Sequence, residues 1–276
     1  MKTVLEVIQA TTTFFQKNGI ESPRLNIEHL LAHALGKKRM DLYMEFDRPL
    51  SDTELEPLRA LVRRRAQGEP LQHLLGTAEF YGRVFAIDKR ALIPRQETEQ
   101  LVDKILEISR EWKQILEIGV GSGAIALTLA AELPSSTVLA VDISDDALEL
   151  AKTNAERLRV SERVRFQQGD LLAGVEGEFD LIVANLPYIA PEVLPTLARE
   201  VQHDPVLALD GGAGGMEILL RLIAEAPRHL RGQLALEIGH DQLDPLSAEL
   251  RLHKYQDIRG ATDYQGRNRF LFAKYG

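Results

Sequence analysis

The feature that most constrains this chain is a glycine-rich loop between a short apolar strand and a helix of small residues. The strand is predicted over residues 115–118, the loop spans Gly119 to Gly123, and the helix starts at Ala124. Glycine allows the backbone to turn tightly and allows a ligand to approach it closely. In an open α/β sheet such a loop lies beyond the carboxyl ends of the strands, where ligands bind. The loop therefore predicts a ligand site.

The chain beyond residue 112 alternates between short β-rich runs and helical runs. Strands are predicted over residues 115–118, 137–141, 163–167, 180–184 and 233–238. This alternation predicts a largely parallel sheet with helices on both faces. The last two β-rich runs, 255–259 and 269–273, are too close in sequence for a crossover helix between them. We therefore expect them to pair antiparallel at an edge of the sheet.

Residues 3–67 have a different pattern, with apolar residues at helical spacing. A β-hairpin is predicted around Gly82. The basic run Arg63–Arg65 ends one of the predicted helices, where it is expected to complement the helix dipole or to form a solvated face, with partner binding as the alternative. The expected organisation is a helical domain over 1–75, a hairpin linker over 76–94 and an α/β domain over 95–276.

Composition excludes several kinds of site. The 276 residues include no cysteine, which excludes disulfides, cysteine-ligated zinc, iron–sulfur clusters and a thiol nucleophile. The formal net charge is −8, and residues 1–75 carry 11 Lys and Arg against 10 Asp and Glu, so the acidic surplus lies in the rest of the chain. This balance argues against direct binding to nucleic acid. Because neither a secretory signal nor a membrane-spanning run is visible, we expect a cytoplasmic protein without a membrane partner.

Carboxylates near the glycine loop indicate which ligand it binds. Glu117 stands two residues before the loop, where it would repel a pyrophosphate but could attract an ammonium group. Asp142 ends the second strand, where a carboxylate can accept hydrogen bonds from both ribose hydroxyls. Asp170, before Leu171, is placed to meet an adenine edge, and a turn-forming aspartate is an equal alternative. These features predict S-adenosylmethionine as cofactor and S-adenosylhomocysteine as product. The expected cofactor-binding residues are Glu117, Gly119, Val120, Gly121, Ser122, Gly123, Asp142, Asp170, Leu171 and Asn185.

The fourth strand ends in Asn185-Leu186-Pro187-Tyr188, a tetrapeptide that suits methylation of a planar NH2 group. The nitrogen of such a group is a poor nucleophile, so positioning matters most. The Asn185 oxygen and the Leu186 carbonyl, which Pro187 keeps in extended backbone, could accept both N–H bonds of the target. Tyr188 could lay its ring against the flat group. A plain strand-ending turn is the alternative, but the position after the glycine loop favours a catalytic role for all four residues.

Together these segments resemble the HemK/PrmC family of glutamine-N5 methyltransferases, which modify peptide chain release factors. The resemblance covers nearly the whole chain and rests on residues 92–99, 117–123, 141–142, 185–188, 209–212, 236–239 and 263–269. It implies a five-helix front domain that recognises the substrate, a hairpin linker and a class I methyltransferase domain, which is α/β, Rossmann-like and seven-stranded. It also implies methyl transfer from S-adenosylmethionine to the glutamine amide nitrogen in the Gly-Gly-Gln loop of a release factor.

Three positions depart from the usual pattern of that family. Leu186 and Gln96 each replace a common proline, and Gly214 stands where an acid is usual. Leu186 also makes the tetrapeptide similar to that of rRNA adenine dimethyltransferases, so an adenine N6-methyltransferase stays open as an alternative. A ribosomal-protein glutamine methyltransferase and a cofactor-binding module without turnover also stay open. His29 and His33 are expected to pack or to lie on the surface, and no metal site is expected.

Overall fold

The computed structural model describes residues 2–276 and divides into two compact units. The first unit comprises the chain up to Gly76 together with Ala198–His203, and the second comprises Thr77–Leu197 and Asp204–Gly276. Nothing in the sequence pattern indicated that residues 198–203 belong with the N-terminal helices. Across residues 2–276, no helix combines the length and the apolar character needed to cross a membrane.

Five helices and a pair of two-residue strands form the first unit. Its elements are β1 (Lys2–Thr3), α1 (Val4–Lys17), α2 (Pro23–Ala34), α3 (Asp41–Met44), β2 (Pro49–Leu50), α4 (Asp52–Ala66) and α5 (Leu71–Leu75). Capping boxes start α1 and α4, pairing Thr3 with Glu6 and Ser51 with Glu54. Each box satisfies N–H groups that the first helical turn leaves without partners. The buried core of the unit includes Val4, Ile8, Phe15, Ile27, Leu30 and Leu42.

Arg65 departs from the expectation of a solvated or dipole-complementing basic run. Its side chain is 2% exposed, its Nε donates to Asn26 Oδ1 at 2.6 Å, and its guanidinium forms an ion pair with Glu200. Arg65 Nη1 also donates a hydrogen bond to the Glu69 carbonyl at 3.2 Å. Burying a guanidinium is costly unless its donors find acceptors, and these three partners supply them. Arg65 therefore attaches residues 198–203 to the helices of the first unit.

A hairpin and a seven-stranded sheet with its helices form the second unit. Its elements are β3 (Thr77–Phe80), β4 (Arg83–Ala86), α6 (Gln96–Ile108), β5 (Gln114–Ile118), α7 (Ala124–Glu132), β6 (Thr137–Asp142), α8 (Asp145–Leu158), β7 (Val164–Gln168), β8 (Phe179–Ala184), α9 (Glu217–Glu225), β9 (Leu230–Glu237), α10 (Leu243–Leu252), β10 (Gln256–Thr262) and β11 (Asn268–Tyr275). The sheet order is β10-β11-β9-β8-β5-β6-β7, with β11 antiparallel to both of its neighbours. The predicted seven-stranded, Rossmann-like fold is confirmed.

The position of β5 in the sheet creates the crevice of the site. β5 pairs in parallel with β6 on one side and with β8 on the other. The loops that follow β5 and β8 therefore diverge at one edge of the sheet, which is where open α/β sheets bind ligands. Two large buried apolar clusters pack in this unit, so the strands are firm supports for these loops.

Candidate active site

The glycine loop after β5 folds tightly against the end of β6. The Gly119 N–H donates to the Val141 carbonyl at 2.8 Å, and the Gly121 N–H donates to Asp142 Oδ2 at 2.9 Å. Gly119 has a φ of +77°, and a Cβ at this position would lie 2.9 Å from Leu186 Cδ2. Glycine is therefore required where the loop after β5 approaches the loop after β8.

Asp142 is a partly buried carboxylate at the end of β6. Its Oδ2 takes the Gly121 N–H, and its Oδ1 accepts the Ser144 N–H at 2.9 Å. Burial raises the pKa of Asp142, and the backbone hydrogen bonds from Gly121 and Ser144 oppose that rise. A carboxylate oxygen can accept more than one hydrogen bond. Asp142 can therefore support the loop and still accept hydroxyl groups of a ligand.

Glu117 is almost completely buried on β5. Its Oε2 accepts the Ala126 N–H at 2.7 Å, in the first turn of α7. Burial raises the pKa of Glu117 well above its ordinary value, the bond from Ala126 opposes this, and the charge of Asp142 adds to it. A cationic ligand beside Glu117 would favour its ionised form. The contact with an ammonium group stays a prediction.

The loops after the central strands enclose a cavity of about 280 Å³. This volume is near the lower end of the roughly 300–1,000 Å³ that small-molecule sites occupy. The predicted site residues that line it are Glu117, Gly119, Val120, Gly121, Ser122, Asp142, Asp170, Leu171, Asn185, Leu186 and Pro187. Gly123 and Tyr188 are not among the lining residues. Gly123 instead starts α7 with a φ of +86°, and a Cβ there would lie 2.7 Å from Leu127 Cδ1.

Asp170 and Leu171 form the wall of the cavity after β7. The exposed Asp170 carboxylate accepts a hydrogen bond from Arg221 at 2.8 Å, and Leu171 is buried with a φ of +51°. The Ala173 N–H donates to the Asp170 carbonyl at 3.1 Å, so a turn exists at this point. The turn and the position at the cavity occur together, so neither interpretation of Asp170 excludes the other.

Asn185 is held in one amide orientation at the end of β8. Its Nδ2 donates to Thr98 Oγ1 at 3.1 Å, and the Thr98 hydroxyl donates to Glu237 Oε2 at 2.8 Å. Within residues 2–276, neither Asn185 Oδ1 nor the Leu186 carbonyl accepts a hydrogen bond. Both residues line the cavity. Two neighbouring oxygens are therefore available to a ligand that carries N–H donors.

Hydrogen bonds to its backbone carbonyl and to its side-chain hydroxyl hold Tyr188 in place. Its carbonyl accepts a hydrogen bond from Gln242 Nε2 at 3.0 Å, and its hydroxyl accepts one from Arg269 Nη1 at 3.3 Å. The Arg269 guanidinium carbon lies 5.8 Å from the centre of the Tyr188 ring, within the range of a cation–π contact. Burial raises the pKa of Tyr188 to about 12, and the charge of Glu237 adds to the rise. Stacking of the ring on a substrate stays a prediction.

Sequence reasoning assigned no role to several residues that support the site. Thr98, Glu237 and Arg269 lie in segments that carry the family resemblance, but nothing in their spacing indicates contact with Asn185 or Tyr188. The strand order and the packing of α6 bring these residues together, and the spacing of residues in the sequence contains neither.

Asn154 on α8 is a further support that the sequence pattern did not reveal. It is fully buried, and its Nδ2 donates to the Ser122 carbonyl at 2.9 Å and to the Ala86 carbonyl at 3.0 Å. Its Oδ1 accepts the Ala86 N–H at 2.7 Å. One amide therefore joins the glycine loop to β4, and an asparagine on the apolar face of a helix was the available signal.

Known proteins match both parts of the chain. The family model "PrmC N-terminal domain" matches residues 6–76, and "Methyltransferase domain" matches residues 115–204. The release factor glutamine methyltransferase of Chlorobaculum tepidum is 41% identical over an alignment of 286 positions, which covers 97% of this chain and 96% of that protein. The one from Rhodopirellula baltica is 40% identical over an alignment of 284 positions, which covers 98% of this chain and 95% of that protein. The chain belongs to the release factor glutamine methyltransferase family.

More distant solved structures share the fold with this family member. A ribosomal protein L11 methylase from Lactobacillus delbrueckii subsp. bulgaricus is 28% identical with a TM-score of 0.50, over 66% of this chain and 81% of that one. The hMettl16 catalytic domain, solved with an RNA hairpin, is 19% identical with a TM-score of 0.59, over 80% and 81%. At that identity the likeness concerns the fold alone. Membership of the family confirms the resemblance and favours glutamine over adenine as the target.

Proposed function

We propose that this chain transfers a methyl group from S-adenosylmethionine to the side-chain amide nitrogen of the Gly-Gly-Gln glutamine in peptide chain release factors. The observation that carries the proposal is the pair of available oxygens, Asn185 Oδ1 and the Leu186 carbonyl, beside the cavity of the glycine loop. A primary amide has two N–H donors, which two fixed acceptors can match. The family's named activity supplies the substrate.

The residues of the cavity fit S-adenosylmethionine. Asp142 has spare acceptor capacity for ribose hydroxyls, and Gly119 and Gly121 line the cavity without side chains that would keep a ligand away from the loop. Glu117 offers a buried carboxylate for an ammonium group, and Asp170 with Leu171 forms the wall for the adenine. The cofactor, when bound, would supply an electrophilic methyl group, whose S–C bond breaks as the N–C bond forms and leaves S-adenosylhomocysteine.

The tetrapeptide acts by positioning the target amide. Asn185 Oδ1 and the Leu186 carbonyl accept its two N–H bonds, which holds the nitrogen and favours localisation of its lone pair. Pro187 keeps Leu186 in the extended backbone that presents this carbonyl. Tyr188 supplies a flat surface for the amide plane. After the new N–C bond has formed, the nitrogen releases one proton to solvent, so the product is a neutral N-methyl amide.

We also propose that the first unit recognises the body of the release factor, as a domain separate from the methyltransferase domain. Met40 and Met44, at the two ends of α3, are 64% and 87% exposed, and methionine adapts well to a binding surface. The near-neutral charge of residues 1–75 suits an apolar contact more than an electrostatic one. A release factor as substrate also implies a cytoplasmic protein that needs neither a membrane nor direct contact with nucleic acid.

Mass spectrometry tests the proposed reaction. The protein is incubated with S-adenosylmethionine, a purified release factor and a ribosomal RNA fragment, and every product is then analysed for added methyl groups. We expect a single methyl on the Gly-Gly-Gln glutamine and none on a control factor with asparagine at that position. Methylation of adenine with an unmodified release factor would overturn the proposal.

A further inference from the structure

Two consecutive hydrogen bonds connect Asn185 to Glu237 through Thr98, and in both of them the donor is on the Asn185 side. Asn185 Nδ2 donates to the Thr98 hydroxyl at 3.1 Å, and that hydroxyl donates to Glu237 at 2.8 Å. Thr98 is 4% exposed and Glu237 is 2% exposed. The three residues come from α6, from the end of β9 and from the loop after β8, so three elements of the second unit meet here.

The direction of these hydrogen bonds determines which end of the Asn185 amide faces the ligand. A threonine hydroxyl has one proton, and an ionised carboxylate only accepts hydrogen bonds. Because the Thr98 hydroxyl donates its only proton to Glu237, it can act toward Asn185 only as a hydrogen-bond acceptor. The amide must therefore turn its NH2 group toward Thr98, which leaves Oδ1 for the ligand. The Glu237 carboxylate also attracts the Asn185 NH2 group directly, so an ionised Glu237 favours the same orientation through both contacts.

We propose that Thr98 and Glu237 are positioning residues that set the amide orientation of Asn185 and so keep its oxygen available to the substrate amide. This inference rests on the proposed function, because it concerns the acceptor that holds the glutamine. It adds two residues that act on the substrate through Asn185: Thr98, which lines the cavity beside it, and Glu237, which lies outside the cavity lining.

The ionisation of Glu237 gives the inference a pH-dependent consequence. Burial raises the pKa of Glu237 to about 7, while the hydrogen bond from Thr98, the charge of Arg269 and the side chain of Asn185 oppose the rise. The charged and titratable groups that face it are Arg269 on β11, Glu97 on α6 and Tyr188 after β8.

Protonation of Glu237 removes the constraint on Asn185. A neutral carboxyl can donate to the Thr98 oxygen, so the threonine proton becomes free to turn toward Asn185. The amide can then present its NH2 group to the substrate, which cannot accept the N–H bonds of the target. Turnover should therefore rise as pH increases through about 7.

A pair of substitutions at Thr98 tests the inference in the full-length protein. Thr98→Val removes the hydroxyl and keeps the shape, so kcat on the release factor should fall by about 10- to 100-fold, the size of a small misplacement of a reacting group. Calorimetry should find an unchanged affinity for S-adenosylmethionine. Thr98→Ser keeps a hydroxyl and should restore most of the turnover. Thr128→Val is the matched control, because Thr128 is fully buried and its hydroxyl has no hydrogen-bond partner within residues 2–276.

The pH profile separates positioning from mere structural support. Glu237→Gln keeps an oxygen that can accept from Thr98 but does not titrate, so its kcat should no longer rise through about pH 7. A structural role alone would lower the melting temperature and leave the shape of the profile unchanged. Wild-type kcat in Thr98→Val, or a wild-type pH profile in Glu237→Gln, would overturn the inference. A wild-type protein that methylates no release-factor glutamine would overturn the proposed function itself, and the inference with it.

Discussion

Asp142 connects the glycine loop to the start of α8 through one carboxylate. Removing it takes away the proposed ribose acceptor and leaves the N–H groups of Gly121 and Ser144 without their acceptor. Hydrogen bonds to a charged group contribute roughly 1.5–3 kcal/mol, so Asp142→Ala should weaken S-adenosylmethionine binding by about 10- to 100-fold. Isothermal calorimetry measures this. The control is Asp145→Ala, an exposed carboxylate outside the cavity lining, and equal affinities in the two variants would contradict the assignment.

Gly119 offers a second test at the scale of one residue. Gly119→Ala forces a Cβ to within 2.9 Å of Leu186 Cδ2 and strains a φ of +77°. Because Leu186 carries the proposed second acceptor carbonyl, we expect turnover to fall by about 10-fold or more. Gly36→Ala is a matched control, since Gly36 has a φ of +63° and open space around its Cβ position. Both variants should lose stability from backbone strain, but activity should fall only in Gly119→Ala.

At the scale of elements, the start of α4 depends on its capping box. The hydrogen bond from the Ser51 N–H, followed by the bond from Arg48, lowers the pKa of Glu54 to about 2. A carboxyl with a depressed pKa in the folded state stabilises the fold above its unfolded pKa, and that stabilisation is lost as pH falls through the folded value. Glu54→Gln should therefore lower the melting temperature at neutral pH, and the difference should shrink as pH falls toward about 2. Glu56→Gln, on the exposed side of α4, should show no such trend.

Most elements of the second unit were predictable because the central strands are short apolar runs between loop residues. The structure extends β9 back to Leu230, although the prediction started at 233. Arg231 and Gly232 carry a weak strand pattern, and the pairing of Gly232 with Tyr275 on β11 holds them in the sheet. A single-sequence pattern contains no information on that pairing.

The site was predictable to a different extent at different residues. The glycine loop and the tetrapeptide are each contiguous in sequence, so residue type and position alone predicted residues that line the cavity, while their chemical roles stay predictions. Thr98 and Glu237 lie far from Asn185 along the chain. Glu237 comes near it because β9 lies beside β8, and Thr98 does so because α6 packs against β9. Alternation of strands and helices predicts the sheet but not the order of its strands.

At the scale of the whole molecule, the proposed division of labour predicts different effects on a large and a small substrate. The double variant Met40→Glu with Met44→Glu places charges on the exposed ends of α3. We expect KM for a whole release factor to rise by about 10-fold, because charges in an apolar contact oppose binding. KM for a short Gly-Gly-Gln peptide should not change. Leu252→Glu at the end of α10, which is 73% exposed, is the control and should alter neither value.

We propose that the molecule works by holding an amide nitrogen between two oxygens, one of them supplied by Asn185. The most direct measurement compares Asn185→Ala with the wild-type protein in methyl transfer to the Gly-Gly-Gln glutamine, with S-adenosylmethionine affinity measured in parallel. Because the glycine loop and Asp142 supply other predicted cofactor contacts, we expect cofactor affinity to stay largely intact although Asn185 lines the cavity. Turnover should fall by about 100-fold or more, as when an enzyme loses one preorganised polar contact. Turnover at the wild-type rate in this variant would contradict the claim.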